Sequence, residues 1–299
     1  MEKILVLDIG GTFIKYGLII SGKLEWVKKQ ATPKKVEAFK NCLNLIKNEF
    51  LEDFTGVSIS MPGIINADSG FAVHGGSLEF IRQMDIREFY ESIFECPVTV
   101  DNDARCGIIG EMNQGQLKRI ENAAMIVLGT GVGGGLIVNG QLVRGFHQSA
   151  GELSLVQTNS AMNLTDLFAV KNSVYSLLKP FAKALGQPTK EVSGEAFFEA
   201  IENEDPAAQT ILHGYCDSLA VQIWNLQAIL DPEKIVIGGG ISSQPILLDY
   251  IKQSLQKNVD SLNVGPLASV IAPAVVLSSL GNDANLIGAY YNFINKNTN

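Results

Sequence analysis

The segment LDIGGTFIKYGLIISG occupies residues 7–22 and joins two apolar, β-branched runs through a Gly-Gly-Thr turn. Such a pattern is typical of two strands joined in a hairpin. A second segment, LGTGVGGGLIVNG at residues 128–140, aligns without gaps with residues 10–22, at an offset of 118 residues. A hairpin that recurs in this way predicts two related lobes, each presenting a glycine-rich loop to a shared cleft.

Strands and helices alternate outside the two hairpins. The sequence predicts strands at 56–60, 98–101, 234–237 and 268–271, and helices at 85–94, 104–111, 163–185, 193–201, 205–230 and 282–294. This alternation favours an α/β fold with two lobes, each built on a mixed sheet. We expect residues 1–115 and 282–299 to form the N-terminal lobe, and residues 116–281 to form the C-terminal lobe with a helical insertion.

The bulk composition excludes several classes of protein. The 299-residue chain carries a net charge of −8, which argues against a nucleic-acid partner, because such binders concentrate Lys and Arg on one face. The apolar run before Asp8 is too short for a signal peptide, and no run is long enough to span a membrane. None of the four cysteines lies in a CxxC or CxC pair. We therefore expect a cytoplasmic protein without a membrane partner.

Three glycine-rich loops each follow a predicted strand: Gly10-Gly11-Thr12, Gly129-Thr130-Gly131 and Gly238-Gly239-Gly240. Backbone without side chains lets phosphate groups or an adenine ring approach closely. A tight turn explains any one of these loops, but three of them, two duplicated, favour nucleotide binding. They match neither the GxxxxGK[ST] loop nor the GxGxxG fingerprint, so a P-loop NTPase and a Rossmann dehydrogenase are poor matches.

Several side chains near these loops suit the same chemistry. The hydroxyls of Thr12 and Thr130 can donate to phosphate oxygens, and Lys15 lies near the first loop. Asp8 ends the strand before that loop, where a carboxylate suits a Mg²⁺ ion, directly or through water. The alternative role of Asp8 is to cap the turn.

Asp101-Asn102-Asp103 follows a predicted strand and precedes a predicted helix. By position alone, Asp103 is expected to be the helix N-cap. Its functional alternative is to accept a proton from an attacking hydroxyl while Asn102 holds the acceptor molecule, which is the combination that a kinase needs. His147 and Glu152 lie in a polar loop after the second hairpin and are candidates for binding sugar hydroxyls, although the position of each one alone favours a surface residue over a ligand.

Five segments together resemble the ROK family (repressors, open reading frames and sugar kinases) of the sugar kinase/actin/Hsp70 superfamily. DIGGTFIKYG at 8–17 and LGTGVGGGLIVNG at 128–140 resemble its two phosphate motifs. SMPGIIN at 60–66 resembles its Pro-Gly sugar-side segment, VDNDAR at 100–105 its catalytic segment, and IVIGGGIS at 235–242 its adenosine motif. The order of the segments is that of the family, and the resemblance covers nearly the whole chain.

The resemblance implies a two-lobed, actin-like ATPase (ribonuclease H-like) fold with a central cleft. It implies that Asp103 is the base that deprotonates the 6-hydroxyl of a sugar, with Mg²⁺ held through Asp8. The expected sugar contacts are Asn102, Glu152, Gly63 and His147. The expected contacts of ATP are Gly10, Gly11, Thr12, Lys15, Thr130, Gly131, Gly239 and Gly240. A homodimer is also expected from the family.

The chain departs from the family on the sugar side. Most members carry GEIGH and a cysteine-rich zinc segment, but here the zinc histidine is replaced by Leu155, and residues 156–170 contain no cysteine. We therefore predict no zinc and a loop held by packing instead. Ser77-Leu78 replaces the Asn-Leu sugar contact of the family. In lacking the zinc residues, the chain is most similar to bacterial β-glucoside kinases and some N-acetylmannosamine kinases.

The sequence thus favours ATP-dependent phosphorylation of a hexose or β-glucoside at the 6-hydroxyl, with N-acetylmannosamine as the alternative acceptor. A non-catalytic, sugar-sensing regulator is the alternative of another class. Regulators of the family carry a helix-turn-helix domain before the first phosphate motif, whereas seven residues precede Asp8 here. The catalytic aspartate and all three glycine loops likewise favour an enzyme.

Overall fold

The computed structural model describes residues 2–50, 54–262, 265 and 271–297. The chain divides into two compact units. The first unit contains Met1–Lys118, Arg144–Ala150 and Asn282–Asn299, and the second contains Arg119–Val143 and Gly151–Gly281.

The described residues form strands and helices in alternation, as the sequence predicts. The strands are β1 (Lys3–Ile9), β2 (Phe13–Ile20), β3 (Lys23–Ala31), β4 (Gly56–Met61), β5 (Ile64–Asn66), β6 (Phe71–Gly75), β7 (Leu78–Asp85), β8 (Val98–Asn102), β9 (Ala123–Leu128), β10 (Val132–Val138), β11 (Gln141–Leu142), β12 (Lys234–Gly238) and β13 (Ala274–Leu277). The α-helices are α1 (Val36–Glu49), α2 (Ile86–Phe94), α3 (Asp103–Gln114), α4 (Phe168–Lys171), α5 (Val174–Leu185), α6 (Gly194–Glu202), α7 (Pro206–Leu230), α8 (Pro245–Leu262) and α9 (Ala284–Asn297).

The first unit is built on a five-stranded sheet of order β3-β2-β1-β4-β8. β1 pairs with β2 in antiparallel fashion and with β4 in parallel, and β4 pairs in parallel with β8. Their central residues are fully buried, because α1 and α2 cover one face while α9 packs on the other. Parallel β1, β4 and β8 therefore end at one edge of the sheet.

The second unit repeats this sheet in the order β11-β10-β9-β12-β13. β9 takes the place of β1, with an antiparallel partner in β10 and a parallel partner in β12. The internal repeat predicted from the two glycine-rich hairpins is thus confirmed. A hydrophobic core formed by the sheet with α5, α7 and α8 fills this unit.

The structure differs from the sequence-based prediction at one helix and one sheet, and one predicted strand falls mostly outside the described residues. The single helix predicted over 163–185 is wrong: it is broken at Asn172, whose buried side-chain amide donates to the Tyr215 carbonyl at 3.0 Å and whose Oδ1 accepts from Ser218. A three-stranded sheet of order β5-β6-β7 was not predicted, since β5 has only three residues and the register between the strands shifts at two places. The strand predicted at 268–271 lies, except for Ile271, outside the described residues.

No helix in the described part of the chain has both the length and the apolar character needed to cross a membrane.

Candidate functional site

The edge at which β1, β4 and β8 end brings three polar residues into one row. Asp8 on β1 is in register with Ser60 on β4, and Ser60 with Asp101 on β8. Ser60 Oγ donates to Asp8 Oδ1 at 2.7 Å, and the side-chain amide of Asn285 on α9 donates to the same oxygen at 3.1 Å. Burial raises the pKa of the Asp8 carboxyl, while these two hydrogen bonds and the charge of Lys15 oppose the rise.

The first glycine loop borders a cavity of about 420 Å³. It is lined by Asp8, Gly10, Gly11, Thr12, Phe13, Lys15, Lys29 and Asn282. Lys15 Nζ lies 2.5 Å from Asp283 Oδ1, and Lys29 Nζ lies 4.0 Å from the centre of the Phe13 ring. Five of the nucleotide-side residues predicted from the sequence, Asp8 and Lys15 among them, thus line one cavity, and Lys29 adds a second cationic side chain to its wall.

The chemistry of this cavity fits a hydrated magnesium ion. Asp8 presents hard carboxylate oxygens to the cavity that the first glycine loop borders, and Mg²⁺ is commonly held by one or two carboxylates together with water and substrate phosphates. Among the described residues, no group of three or more His, Cys, Asp or Glu side chains is arranged to hold a metal by itself. A magnesium ion here would therefore rely on Asp8, water and phosphate oxygens.

The second and third glycine loops lie side by side in the second unit, because Gly238 on β12 is in register with Val127 on β9. Gly239 has φ +89° and ψ 177°, which is a region that only glycine occupies readily. A Cβ at Gly239 would lie 2.2 Å from the Leu128 carbonyl oxygen, so the fold itself requires glycine at this position.

Gly131 and Gly240 differ from Gly239 in this respect. A Cβ built on either residue would meet no atom of the described chain within 4 Å, and neither has a positive φ. The fold therefore does not demand glycine at these positions. Open space next to backbone in two adjacent loops is what the close approach of a ligand requires.

Asn102, not Asp103, is the N-cap of α3. The sequence-based assignment of Asp103 as the cap is wrong, because Asn102 is the last extended residue and its Oδ1 accepts from the Arg105 N–H at 3.2 Å. The side-chain amide of Asn102 donates to the Gly63 carbonyl at 3.0 Å. Gly63 has φ +116°, and a Cβ there would lie 2.0 Å from the His74 carbonyl oxygen. Gly63 therefore acts on this site by orienting Asn102.

Asp103 is consequently the first residue within α3. Its side chain is half-buried, and its Oδ1 accepts from the Ala104 N–H at 2.8 Å. The partial positive charge of a helix N-terminus favours the ionised form of a carboxylate at this position. A partly accessible carboxylate in the first turn of a helix is in a position from which it can accept a proton.

Cys106 lies one helical turn beyond Asp103 and close to the carboxylates of Asp8, Asp101 and Asp103. Burial raises the pKa of its thiol well above the usual value, and the charges of Asp101, Asp8 and Asp103 raise it further, although a hydrogen bond with Ser60 opposes the change. Its full burial is typical of a cysteine that packs as a small hydrophobic side chain.

A buried ionic cluster next to Asn102 and Asp103 was not predicted from the sequence. Asp101 is fully buried, and its Oδ2 lies 2.8 Å from Arg144 Nη2 while its Oδ1 lies 3.5 Å from Arg105 Nη1. The backbone N–H of Asn102 also donates to Asp101 Oδ1 at 2.8 Å. The sequence signal that could have revealed this cluster was the charged Asp101 in a short β-branched strand, since a buried carboxylate needs cationic partners.

The Arg144–Ala150 segment is held to the first unit by this cluster. Gly145 to Gln148 form a tight turn in which the Gln148 N–H donates to the Gly145 carbonyl at 3.3 Å. Arg105 donates to the Gln148 carbonyl. His147 is exposed at the tip of the turn, and its ring meets that of Phe146 edge to face, with centroids 5.0 Å apart.

Glu152 belongs to the second unit, where it is half-buried and precedes the 3₁₀ turn Leu153–Leu155. Leu155, at the position of the family's zinc histidine, is 61% exposed. The segment that follows is held by hydrogen bonds of Thr158 N and Oγ1 to the Asp166 carbonyl, both at 2.8 Å, and by the buried Phe168 ring. Contacts between protein groups therefore order this loop.

The sheet order and the glycine loops define a member of the actin-like class of nucleotide-binding folds, as predicted from the sequence. The model of the ROK family matches residues 4–167 and 175–296. The chain belongs to the ROK family.

Three relatives illustrate this membership. The β-glucoside kinase of Listeria innocua is 28% identical over 299 residues, covering 98% of this chain and 97% of its own. A ROK family protein of Streptococcus pneumoniae in complex with sucrose superposes with a TM-score of 0.87 at 26% identity, covering 99% of both chains. A Listeria monocytogenes protein provisionally assigned as an N-acetylmannosamine kinase has a TM-score of 0.85 at 26% identity, again covering 99% of both. The predicted class of enzyme, a sugar kinase, is confirmed at the level of the family.

Proposed function

We propose that this protein is a kinase that transfers the γ-phosphoryl group of ATP to the 6-hydroxyl of a hexose or β-glucoside. The observation that carries the proposal lies within the first unit. Asp103, the candidate base, follows β8, and the phosphate loop follows β1, so both lie at one edge of one sheet. A proton acceptor and a phosphate cradle at one sheet edge are the two parts that phosphoryl transfer needs.

The proposed reaction follows from these positions. The Asp103 carboxylate accepts the proton of the sugar hydroxyl as the oxygen attacks the γ-phosphorus. The new O–P bond forms while the bond from the γ-phosphorus to the β-γ bridging oxygen breaks, and ADP leaves with that oxygen. Asn102 orients the sugar and is itself fixed by hydrogen bonds to Gly63 and Arg105. Gly63 therefore contributes to sugar binding by positioning the Asn102 side chain. His147 and Glu152 are proposed as further sugar contacts.

The proposed nucleotide contacts come from the three loops. In the first unit these are Gly10, Gly11, Thr12 and Lys15. In the second unit, considered by itself, they are Thr130, Gly131, Gly239 and Gly240. Mg²⁺, held near Asp8 through water, would neutralise charge on the transferred phosphate. A cytoplasmic location and a homodimer remain predictions from the sequence.

The relatives support a β-glucoside as the acceptor, because the Listeria innocua enzyme is named for that substrate and matches nearly the whole chain. N-acetylmannosamine is the second candidate, supported by the assignment of the Listeria monocytogenes protein. A regulator without catalysis is the less favoured alternative, since Asp103 and the open loops at Gly131 and Gly240 are all present.

A coupled assay of ADP release tests the proposal. The acceptors are glucose, cellobiose, gentiobiose, fructose, N-acetylmannosamine and N-acetylglucosamine, each with MgATP and with Asp103→Asn as the matched control. We expect turnover with at least one β-glucoside or hexose, and its loss in the variant. ATP binding without turnover on any of these sugars would contradict the kinase assignment and favour a regulator.

A further inference from the structure

Phe146 is the most exposed large hydrophobic side chain of the described residues, at 95%. A single exposed apolar residue needs no explanation by itself. Phe146, however, is one of the two central residues of the tight turn Gly145 to Gln148, and its ring is held edge to face by His147. The Phe146 ring at the tip of this turn therefore presents apolar surface to solvent.

Both ends of this turn are fixed. On one side, Arg144 Nη2 lies 2.8 Å from Asp101, and the Arg144 carbonyl accepts from the Ala150 N–H at 3.1 Å. On the other side, the Gln148 carbonyl accepts from Arg105, a side chain that is 1% exposed. The backbone of the turn is therefore anchored through groups inside the protein, and its tip loses little conformational freedom when a ligand binds.

The anchors lie beside the catalytic segment. Asp101 and Arg105 are the residues that bracket Asn102 and Asp103, the proposed sugar-orienting residue and the proposed base. The turn is thus attached to the same short stretch of chain as the groups that would meet the reacting hydroxyl. The apolar ring of Phe146 is therefore placed to contact a part of the sugar acceptor that does not react.

We propose that Phe146, supported by His147, is a specificity residue that stacks on the second ring of a β-linked glucoside. This inference rests on the kinase function proposed above. A β-linked glucose ring carries its substituents in equatorial positions and exposes axial C–H groups on both faces, which pack well on an aromatic ring. A monosaccharide has no second ring and gains nothing from this contact.

The test compares cellobiose with glucose in steady-state kinetics. In Phe146→Ala we expect kcat/KM for cellobiose to fall by about tenfold, which corresponds to about 1.4 kcal/mol, through a higher KM with little change in kcat. The values for glucose should stay within about twofold, since the lost contact is worth nothing to a single ring. Phe146→Tyr should restore cellobiose kinetics. Trp26→Ala, which removes another exposed aromatic side chain of the first unit, serves as the control and should change neither sugar.

The outcomes separate this inference from the kinase assignment. Equal losses on the two sugars in Phe146→Ala, or no loss on cellobiose, would overturn the role of Phe146 while leaving the kinase intact. A wild-type enzyme that phosphorylates glucose but no β-glucoside would overturn it as well. Failure of the wild-type protein to phosphorylate any sugar would instead reject the proposed function. Thermal unfolding of each variant shows whether it has folded, which we expect because the ring is almost fully exposed.

Discussion

Asn102 accepts a hydrogen bond from the Arg105 backbone N–H at 3.2 Å and thereby caps α3. This relationship separates two roles that the sequence alone places on the same residue. Because Asn102 caps α3, the neighbouring Asp103 can be substituted without removing the cap. The helix and the proposed chemistry can therefore be tested independently.

Replacing Asp103 by Asn tests the proposed base. The amide has the same shape but cannot accept the proton, so we expect kcat to fall by about 10²–10⁴-fold. Sugar and ATP affinities, measured by calorimetry, should change only a few-fold, and the midpoint of thermal unfolding should be nearly unchanged. Unaltered turnover in this variant would leave Asp103 without a catalytic role.

Replacing Asn102 tests the cap and the sugar contact separately. Asn102→Ala removes the cap and should lower the free energy of unfolding by about 0.5–2 kcal/mol. Asn102→Asp keeps an acceptor for the Arg105 N–H but loses the donor to the Gly63 carbonyl. We therefore expect the Asp variant to be more stable than the Ala variant, and both to show a raised KM for the sugar. Denaturant unfolding with sugar kinetics measures the two effects, and equal stability of the two variants would argue against the cap.

The Asp101–Arg144 pair is expected to stabilise the first unit. Removing one partner of a buried ion pair costs about 3–5 kcal/mol. The loss of stability caused by Arg144→Leu should lie at the lower end of that range, because Arg105 and the Asn102 N–H still contact Asp101. In an Asp101→Asn background the same substitution should cost less, giving a coupling energy of about 0.5–3 kcal/mol. Additive effects in this double-mutant cycle would mean that the two side chains do not interact.

Cys106 should resist alkylation in the folded protein. Burial and three nearby carboxylates raise the pKa of its thiol well above the usual value of about 8.5, so almost no thiolate exists at pH 8. The raised pKa also means that Cys106 contributes stability below about pH 8.5, and that this contribution is lost as the pH rises and the unfolded thiol ionises first. Iodoacetamide labelling with mass spectrometry, in buffer and in denaturant, measures the difference. Equally fast labelling in both would contradict the burial of this thiol.

The hairpins and the repeat could be predicted from the sequence, because glycine loops after apolar strands leave a local pattern. The Asp101 cluster could not, since Arg144 lies 43 positions beyond Asp101 (144 − 101) and only the folded chain brings them together. The break at Asn172 has the same cause: helical periodicity continues through it, and its partners lie on α7. Local patterns specify elements, whereas contacts between distant residues decide where helices stop and which charges pair.

Gly239 and Gly240 form a matched pair that separates folding from nucleotide binding. Gly239 occupies a glycine-only conformation against Leu128, so Gly239→Ala should cost about 1–3 kcal/mol. At about 2–4 °C per kcal/mol, the unfolding midpoint should fall by several degrees. Gly240→Ala meets no atom of the described chain within 4 Å and should leave the midpoint unchanged. If the open space beside Gly240 receives ATP, the larger Gly240→Val should raise the KM for ATP at least tenfold while the KM for sugar stays constant. Normal ATP kinetics in Gly240→Val would show that the nucleotide does not approach this loop.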